Sequence, residues 1–269
     1  MRRKGKRKIG TRGRRGIYIL PNLFTSASLF GGFYAIIATI QGRYEAAAIA
    51  IVVSAIFDGL DGRIARFTRT TSDFGSEYDS LADLVAFGLA PGILAFRWAL
   101  EPFGRLGWLA AFVYVICGAL RLARFNVQKA TVDSGHFRGL PIPSAACLVA
   151  SLVLFTGLLG GIPEKSALAI LVAIYILSFL MVSTIRYSSF KKLDISNRKP
   201  FHVLVTIILI FIVIAYKPKI MLFFIMVFYV SSGPITLLYR LQGRRSAARE
   251  KASSSPALKE EKKTPPQAD

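Results

Sequence analysis

Several uninterrupted apolar runs of about 18–24 residues, the length that carries a helix across a bilayer, constrain this 269-residue chain more than any other feature. In hydrocarbon every backbone N–H and C=O must find its partner within the protein, and only helices and closed barrels provide that. The runs here are continuous and do not alternate apolar with polar residues, which argues against a barrel. A mean hydropathy of +0.48 agrees. The expected fold class is all-α, a polytopic helical transmembrane bundle of about eight spans. The spans are expected near residues 17–40, 44–59, 75–98, 106–123, 142–159, 167–185, 202–216 and 220–239. The first run lacks a convincing small-residue cleavage site and reads as a retained span. Pro91 falls inside the third, where it predicts a kink whose freed backbone group is met by neighbouring helices. No internal repeat is visible. Residues 1–16 form a basic tail, and 243–269, rich in Ser, Ala, Lys, Glu and Pro, read as a disordered cytoplasmic tail.

The net charge of +20 raises the question of nucleic acid. Its distribution answers against it, because the basic residues gather in the tails and short loops without interleaved aromatics. Such flanking charge sets orientation and attracts anionic membrane lipid. With both termini cytoplasmic, 29 of the 35 Lys/Arg fall on the inner side and six on the outer. This asymmetry predicts an integral protein of the cell membrane and places residues 60–75 at its cytoplasmic face. Cys117 and Cys147 sit in apolar surroundings without metal-ligand spacing and read as packing residues.

Residues 58–83, DGLDGRIARFTRTTSDFGSEYDSLAD, hold the chemistry. Asp58 and Asp61 lie at i,i+3 near the end of the second span, and Asp79 and Asp83 at i,i+4 near the start of the third. Each pair shares one helix face. Intramembrane acids are costly, and by default they mark function. A short linker carrying Arg63, Arg66 and Arg69 is expected to bring the two helices side by side, so that the pairs converge into an oxygen cage for divalent cations. Gly62 and Gly75, near the helix ends, leave room for a ligand to approach. Ions held there clamp a pyrophosphate and assist in-line displacement at phosphorus, with the Arg66 fork suited to phosphate oxygens. Asp73 and Glu77 flank a helix start, where capping and the helix dipole explain acids.

The arrangement Asp58-x-x-Asp61-Gly62-x-x-Ala65-Arg66, eight residues, then Gly75-x-x-x-Asp79-x-x-x-Asp83 resembles the signature of CDP-alcohol phosphatidyltransferases at every position. The segments 77–91, 117–126, 137–146 and 181–191 resemble the serine-using, phosphatidylserine synthase branch. The resemblance covers about residues 17–191, a six-helix core, and leaves 192–242 as two additional C-terminal spans. It implies that Asp58, Asp61 and Asp79 ligate Mg²⁺ or Mn²⁺, as two ions, with Asp83 both a metal neighbour and the general base. It implies that Asn22, Thr25, Gly62, Ala65, Arg66, Ser72 and Gly75 bind CDP-diacylglycerol. Arg121, Arg124, Asn126 and Arg138 would contact phosphate or the carboxylate of L-serine. The implied product is phosphatidylserine with release of CMP, made by a homodimer. Two alternatives stay open: another acceptor, such as glycerol 3-phosphate or inositol, and a divalent-cation transporter using the same acids. The transporter is disfavoured by acids that lie near one membrane face rather than at the midplane between repeats.

Overall fold

The computed structural model describes residues 12–68, 72–129, 137–161, 166–187 and 216–253. They form a helical bundle whose order is α1 (Arg12–Ile40), α2 (Tyr44–Thr68), α3 (Asp73–Asp83), a π-helical turn (Leu84–Leu89), α4 (Ala90–Ala95), a second π-helical turn (Phe96–Leu100), a 3₁₀ turn (Glu101–Phe103), α5 (Arg105–Lys129), β1 (Phe137–Arg138), α6 (Ile142–Leu158), α7 (Ser166–Val182), β2 (Arg186–Tyr187) and α8 (Pro218–Ser253). Among the described residues four helical stretches are long and apolar enough to cross a membrane: Leu20–Ile40, Asp73–Phe103, Arg105–Gln128 and Pro218–Leu237. The apolar helices α6 and α7 are shorter, at 17 residues each. The 25 residues of α2 reach about 37 Å at helical rise. The span expected at 202–216 lies outside the described residues apart from Tyr216.

Small residues decide how closely the first helices approach. Ser28, Ala35 and Ala38 of α1 are buried, as are Ala47, Ala48, Ala50 and Ser54 of α2, and the Ser28 hydroxyl donates to the Ser54 carbonyl at 3.1 Å. Without a bilayer-driven hydrophobic force, such close backbone packing and interhelical hydrogen bonds are what associate helices. Gly32 meets the Leu84–Leu89 turn so tightly that a Cβ there would lie 2.5 Å from Ala86 Cα. Helix α1 is thereby wedged against both acid-bearing segments.

Two prolines leave carbonyls without their usual donor, and in each case a buried tyrosine replaces it. Pro91 has no N–H for the Phe87 carbonyl four residues earlier. The chain accommodates it through the π-helical turn, where the Ala90 amide reaches back five residues to Val85, and the Tyr114 hydroxyl of α5 donates to the Phe87 carbonyl at 3.2 Å. Pro234 in α8 frees the Val230 carbonyl in the same way, and the Tyr187 hydroxyl of β2 donates to it at 3.2 Å. A Cβ on Gly233 would stand 2.3 Å from Tyr187 Cζ, so this tyrosine fits only against glycine.

Three features depart from expectation. Helix α2 continues through Thr68, so Arg63 and Arg66 are helical and not part of a linker; Arg69 lies outside the described residues. A helix need not end where hydrocarbon ends, and Arg, Ala and Ile are compatible with its continuation. Helix α8 runs on to Ser253, past the boundary expected at 243, through a stretch rich in Arg, Ala, Glu and Lys that favours helix in the same way. A short antiparallel ladder pairs Phe137 with Tyr187 and Arg138 with Arg186, tying the entry of α6 to the exit of α7. Tyr44, Arg97, Glu45 and Lys219 meet at one end, where Lys219 pairs with Glu45 and the Tyr44 hydroxyl donates to the Arg97 carbonyl. The four aspartates, Arg121 and the ladder gather toward the other.

Tyr114→Phe is expected to destabilise the protein by about 1 kcal/mol, the loss of one buried hydrogen bond. Pro91→Ala in the same chain should recover part of that loss by returning an amide proton to the Phe87 carbonyl. Thermal unfolding of the two single variants, the double variant and the parent in one detergent measures both effects.

Candidate active site

Asp58 and Asp61 of α2 and Asp79 of α3 converge as the acid spacing requires, although the two helices do not lie directly side by side as expected: each packs against α1, which holds them in place. One carboxylate oxygen from each of Asp58, Asp61 and Asp79 lies within 4.8 Å of the others. Asp83, one turn beyond Asp79, is not in this threesome and lies close to Asp58, with Asp79 and Asp61 also within electrostatic reach. Helix α1 supports the cluster from behind. The Thr25 hydroxyl donates to Asp61 Oδ2 at 2.9 Å and also lies 3.2 Å from the Pro21 carbonyl. Thr25 and Asp61 are both buried.

Carboxylates this close repel one another in a low-dielectric site unless positive charge lies between them. All the converging atoms are hard oxygen donors, with neither imidazole nor thiolate among them, a donor set suited to Mg²⁺, Mn²⁺ or Ca²⁺ over softer metals. The residues present therefore fit a divalent cation held by Asp58, Asp61 and Asp79.

On one side of the cluster lies the N-terminus of α3. Ser72 caps it, its hydroxyl oxygen accepting the Gly75 amide at 3.0 Å, and Asp73 occupies the first turn. Asn22 comes close from α1, its Oδ1 only 3.4 Å from where a Gly75 Cβ would stand. Nearby, the Ser26 and Tyr78 hydroxyls are hydrogen-bonded at 2.8 Å. Asn22, Thr25, Ser72 and Gly75 are thus brought together with the acids. Gly62 follows Asp61 on α2. Ala65 and Arg66 lie on the same helix, but their side chains fall outside the described residues.

On the opposite side lies α5. Arg121 is only 9% exposed and within electrostatic reach of Asp83, Tyr229 and Asp58. Its Nε makes no hydrogen bond among the described residues. The other residues expected to bind serine or phosphate are placed differently. Arg124 donates through Nη1 to the Val182 carbonyl at 2.8 Å, finishing the end of α7. Asn126 donates through Nδ2 to Ser80 Oγ at 2.9 Å, tying α5 to α3, while its buried Oδ1 has no partner among the described residues. Arg138 lies on β1 with its side chain outside the described residues. Sequence reasoning missed Tyr229 of α8, which lies within electrostatic reach of Arg121, and Ser144 of α6 close to it. Tyr229 sits in an apolar span beyond the motif, and no spacing in the sequence connects it to the acids.

A helical membrane bundle with this acid cage at the mouth of α2 and α3 belongs to the CDP-alcohol phosphatidyltransferase family, whose model matches residues 18–182. Within that family the chain is 44% identical over 199 residues to the CDP-diacylglycerol–serine O-phosphatidyltransferase of Helicobacter pylori, covering 73% of this chain and 83% of that one. It is 36% identical over 174 residues to the enzyme of the same name from Bacillus subtilis, covering 64% and 92%. It is also 39% identical over 170 residues to the archaetidylserine synthase of Methanothermobacter thermautotrophicus, covering 62% and 69%.

Thr25 orients a proposed metal ligand from outside the cage, and loss of such a partner typically costs about 10–100-fold in metal affinity. Thr25→Val is expected to weaken Mn²⁺ binding within that range while the protein stays folded. Titration followed by the electron paramagnetic resonance of free Mn²⁺ reads the change directly.

Proposed function

We propose that this protein transfers the phosphatidyl group of CDP-diacylglycerol to the hydroxyl of L-serine, giving phosphatidylserine and CMP. The observation carrying most weight is the convergence of Asp58, Asp61 and Asp79, with Asp83 beside them, at the signature positions of a family to which the chain belongs. The acceptor follows from the relatives: their names differ in the lipid word and share serine. A buried arginine beside the acids supports this choice, since serine carries a carboxylate that inositol and glycerol lack.

In this proposal Asn22, Thr25, Gly62, Ala65, Arg66, Ser72 and Gly75 receive the CDP portion, from α1, the end of α2 and the start of α3. Ser72 can serve both the helix and the substrate, because a hydroxyl that accepts the Gly75 amide still has a proton to give a phosphate oxygen. Asp58, Asp61 and Asp79 would hold the divalent ions, Mg²⁺ or Mn²⁺, as two ions. When bound, these ions neutralise phosphate oxygens and ease the departure of CMP. Asp83 takes the proton of the serine hydroxyl as its oxygen attacks the phosphorus on the diacylglycerol side and the bond to CMP breaks. No covalent enzyme intermediate is needed. Arg121 faces the acceptor from α5. The acyl chains lie among the helices in the bilayer, and the charge asymmetry supports a cytoplasmic site with both termini on that side. Assembly as a homodimer belongs to the same proposal.

Purified protein given CDP-diacylglycerol, Mn²⁺ and L-serine is expected to release CMP and form phosphatidylserine. CMP release only with glycerol 3-phosphate or inositol would replace the acceptor, and vesicle uptake of Mn²⁺ without CMP release would replace the reaction. Asp83→Asn is expected to lose about 10²–10⁴-fold in turnover with CDP-diacylglycerol binding nearly unchanged. Near-normal turnover would exclude Asp83 as the base.

A further inference from the structure

The ligand-facing groups fall in a sequence across the bundle. Asn22, Ser72 and Gly75 stand at one end, then Asp61 with Thr25, then Asp58 with Asp83, then Arg121, and beyond it Tyr229 with Ser144. If CDP occupies the first end, the acceptor enters from the last. Helix α8, which supplies Tyr229, lies wholly beyond residues 18–182 of the family match.

Arg121 is the group there whose bonding capacity is least used. It is nine-tenths buried, yet its Nε–H has no partner among the described residues. A carboxylate meets a guanidinium through two parallel N–H bonds, and the Nε edge is one of the faces that can supply them. Tyr229 is held firmly beside it. Its ring lies 5.9 Å from that of Tyr187, which donates to the Val230 carbonyl and fits against Gly233. Ser144, in the first turn of α6, lies close to its hydroxyl. A phenylalanine would fill the same space, so the hydroxyl calls for a role beyond packing.

We infer that α8 completes the acceptor pocket: the Tyr229 hydroxyl, positioned by Ser144, joins Arg121 in gripping the carboxylate of an amino-acid acceptor whose hydroxyl faces Asp83. This rests on the phosphatidyl-transfer reading and adds to it a specificity device outside the shared catalytic core. Selection of an amino acid over a plain alcohol then depends on a helix that the catalytic motif does not contain.

The test compares L-serine with serinol, which keeps the amine and a hydroxyl and replaces the carboxylate with a second hydroxymethyl group. Tyr229→Phe is expected to raise the KM for serine about tenfold, the scale of one hydrogen bond to a charged group. Its kcat, its KM for CDP-diacylglycerol and its KM for serinol should stay within about twofold of the parent, so the preference for serine over serinol falls about tenfold. Calorimetric titration of L-serine into protein loaded with Mn²⁺ and CDP should show the same loss without turnover. Ser144→Ala, which leaves the tyrosine ring in place, should weaken serine binding in the same direction and decides the matter if the phenylalanine variant does not fold. Equal effects on serine and serinol, or none on either, would overturn the inference while leaving phosphatidyl transfer standing. A parent protein that forms no phosphatidylserine would overturn both.

Discussion

Asp58, Asp61 and Asp79, with Asp83 beside them, create an electrostatic problem that the surrounding structure is arranged to hold. Their mutual repulsion grows as the dielectric falls, so the cluster persists only with positive charge nearby and rigid backing. Both are visible. Thr25 holds Asp61 in place, Arg121 approaches Asp83 and Asp58 from α5, and the open oxygens suit a divalent cation. Removing the acids would relieve the repulsion and leave the bundle without its chemistry.

Close backbone packing is what makes this backing rigid. Gly32 against Ala86 and Ser28 against Ser54 bring α1 near enough for Thr25 to reach across to α2. The π-helical turn after Asp83 then lets the third membrane segment bend around Pro91 without leaving the Phe87 carbonyl bare, since Tyr114 meets it. Pi-helical turns often mark functional sites, and this one begins at the residue after the proposed base. The same tyrosine-for-proline substitution of donors recurs at Tyr187 and Val230, where it secures α8. In hydrocarbon an unmet carbonyl has no water to turn to, so each proline in a span demands such a partner.

The layout also separates what the family shares from what distinguishes a member. The acid cage and the α3 N-terminus lie within the matched residues 18–182, and Tyr229 lies outside them. In the proposed reading, recognition of the activated lipid and recognition of the acceptor fall on different parts of the chain.

The sequence by itself determined the helical membrane class and the pairing of the acids. These rest on local facts: run length and the 3.6-residue period that puts Asp58 with Asp61 and Asp79 with Asp83 on common faces. It also marked Gly75 through the motif's fixed spacing, and Asn22 and Thr25 through the resemblance of the segment that opens the first span. Tertiary structure alone decided which cations face the site. Arg121 and Arg124 are three residues apart and look equivalent in sequence, yet one is buried beside Asp83 and the other ends α7 at the Val182 carbonyl. Only the packing of α8 brought Tyr229 to Arg121, a separation of more than a hundred residues that no local pattern encodes. The helix limits at Thr68 and Ser253 were equally hidden, because hydropathy reports where the apolar environment ends and not where backbone hydrogen bonding does.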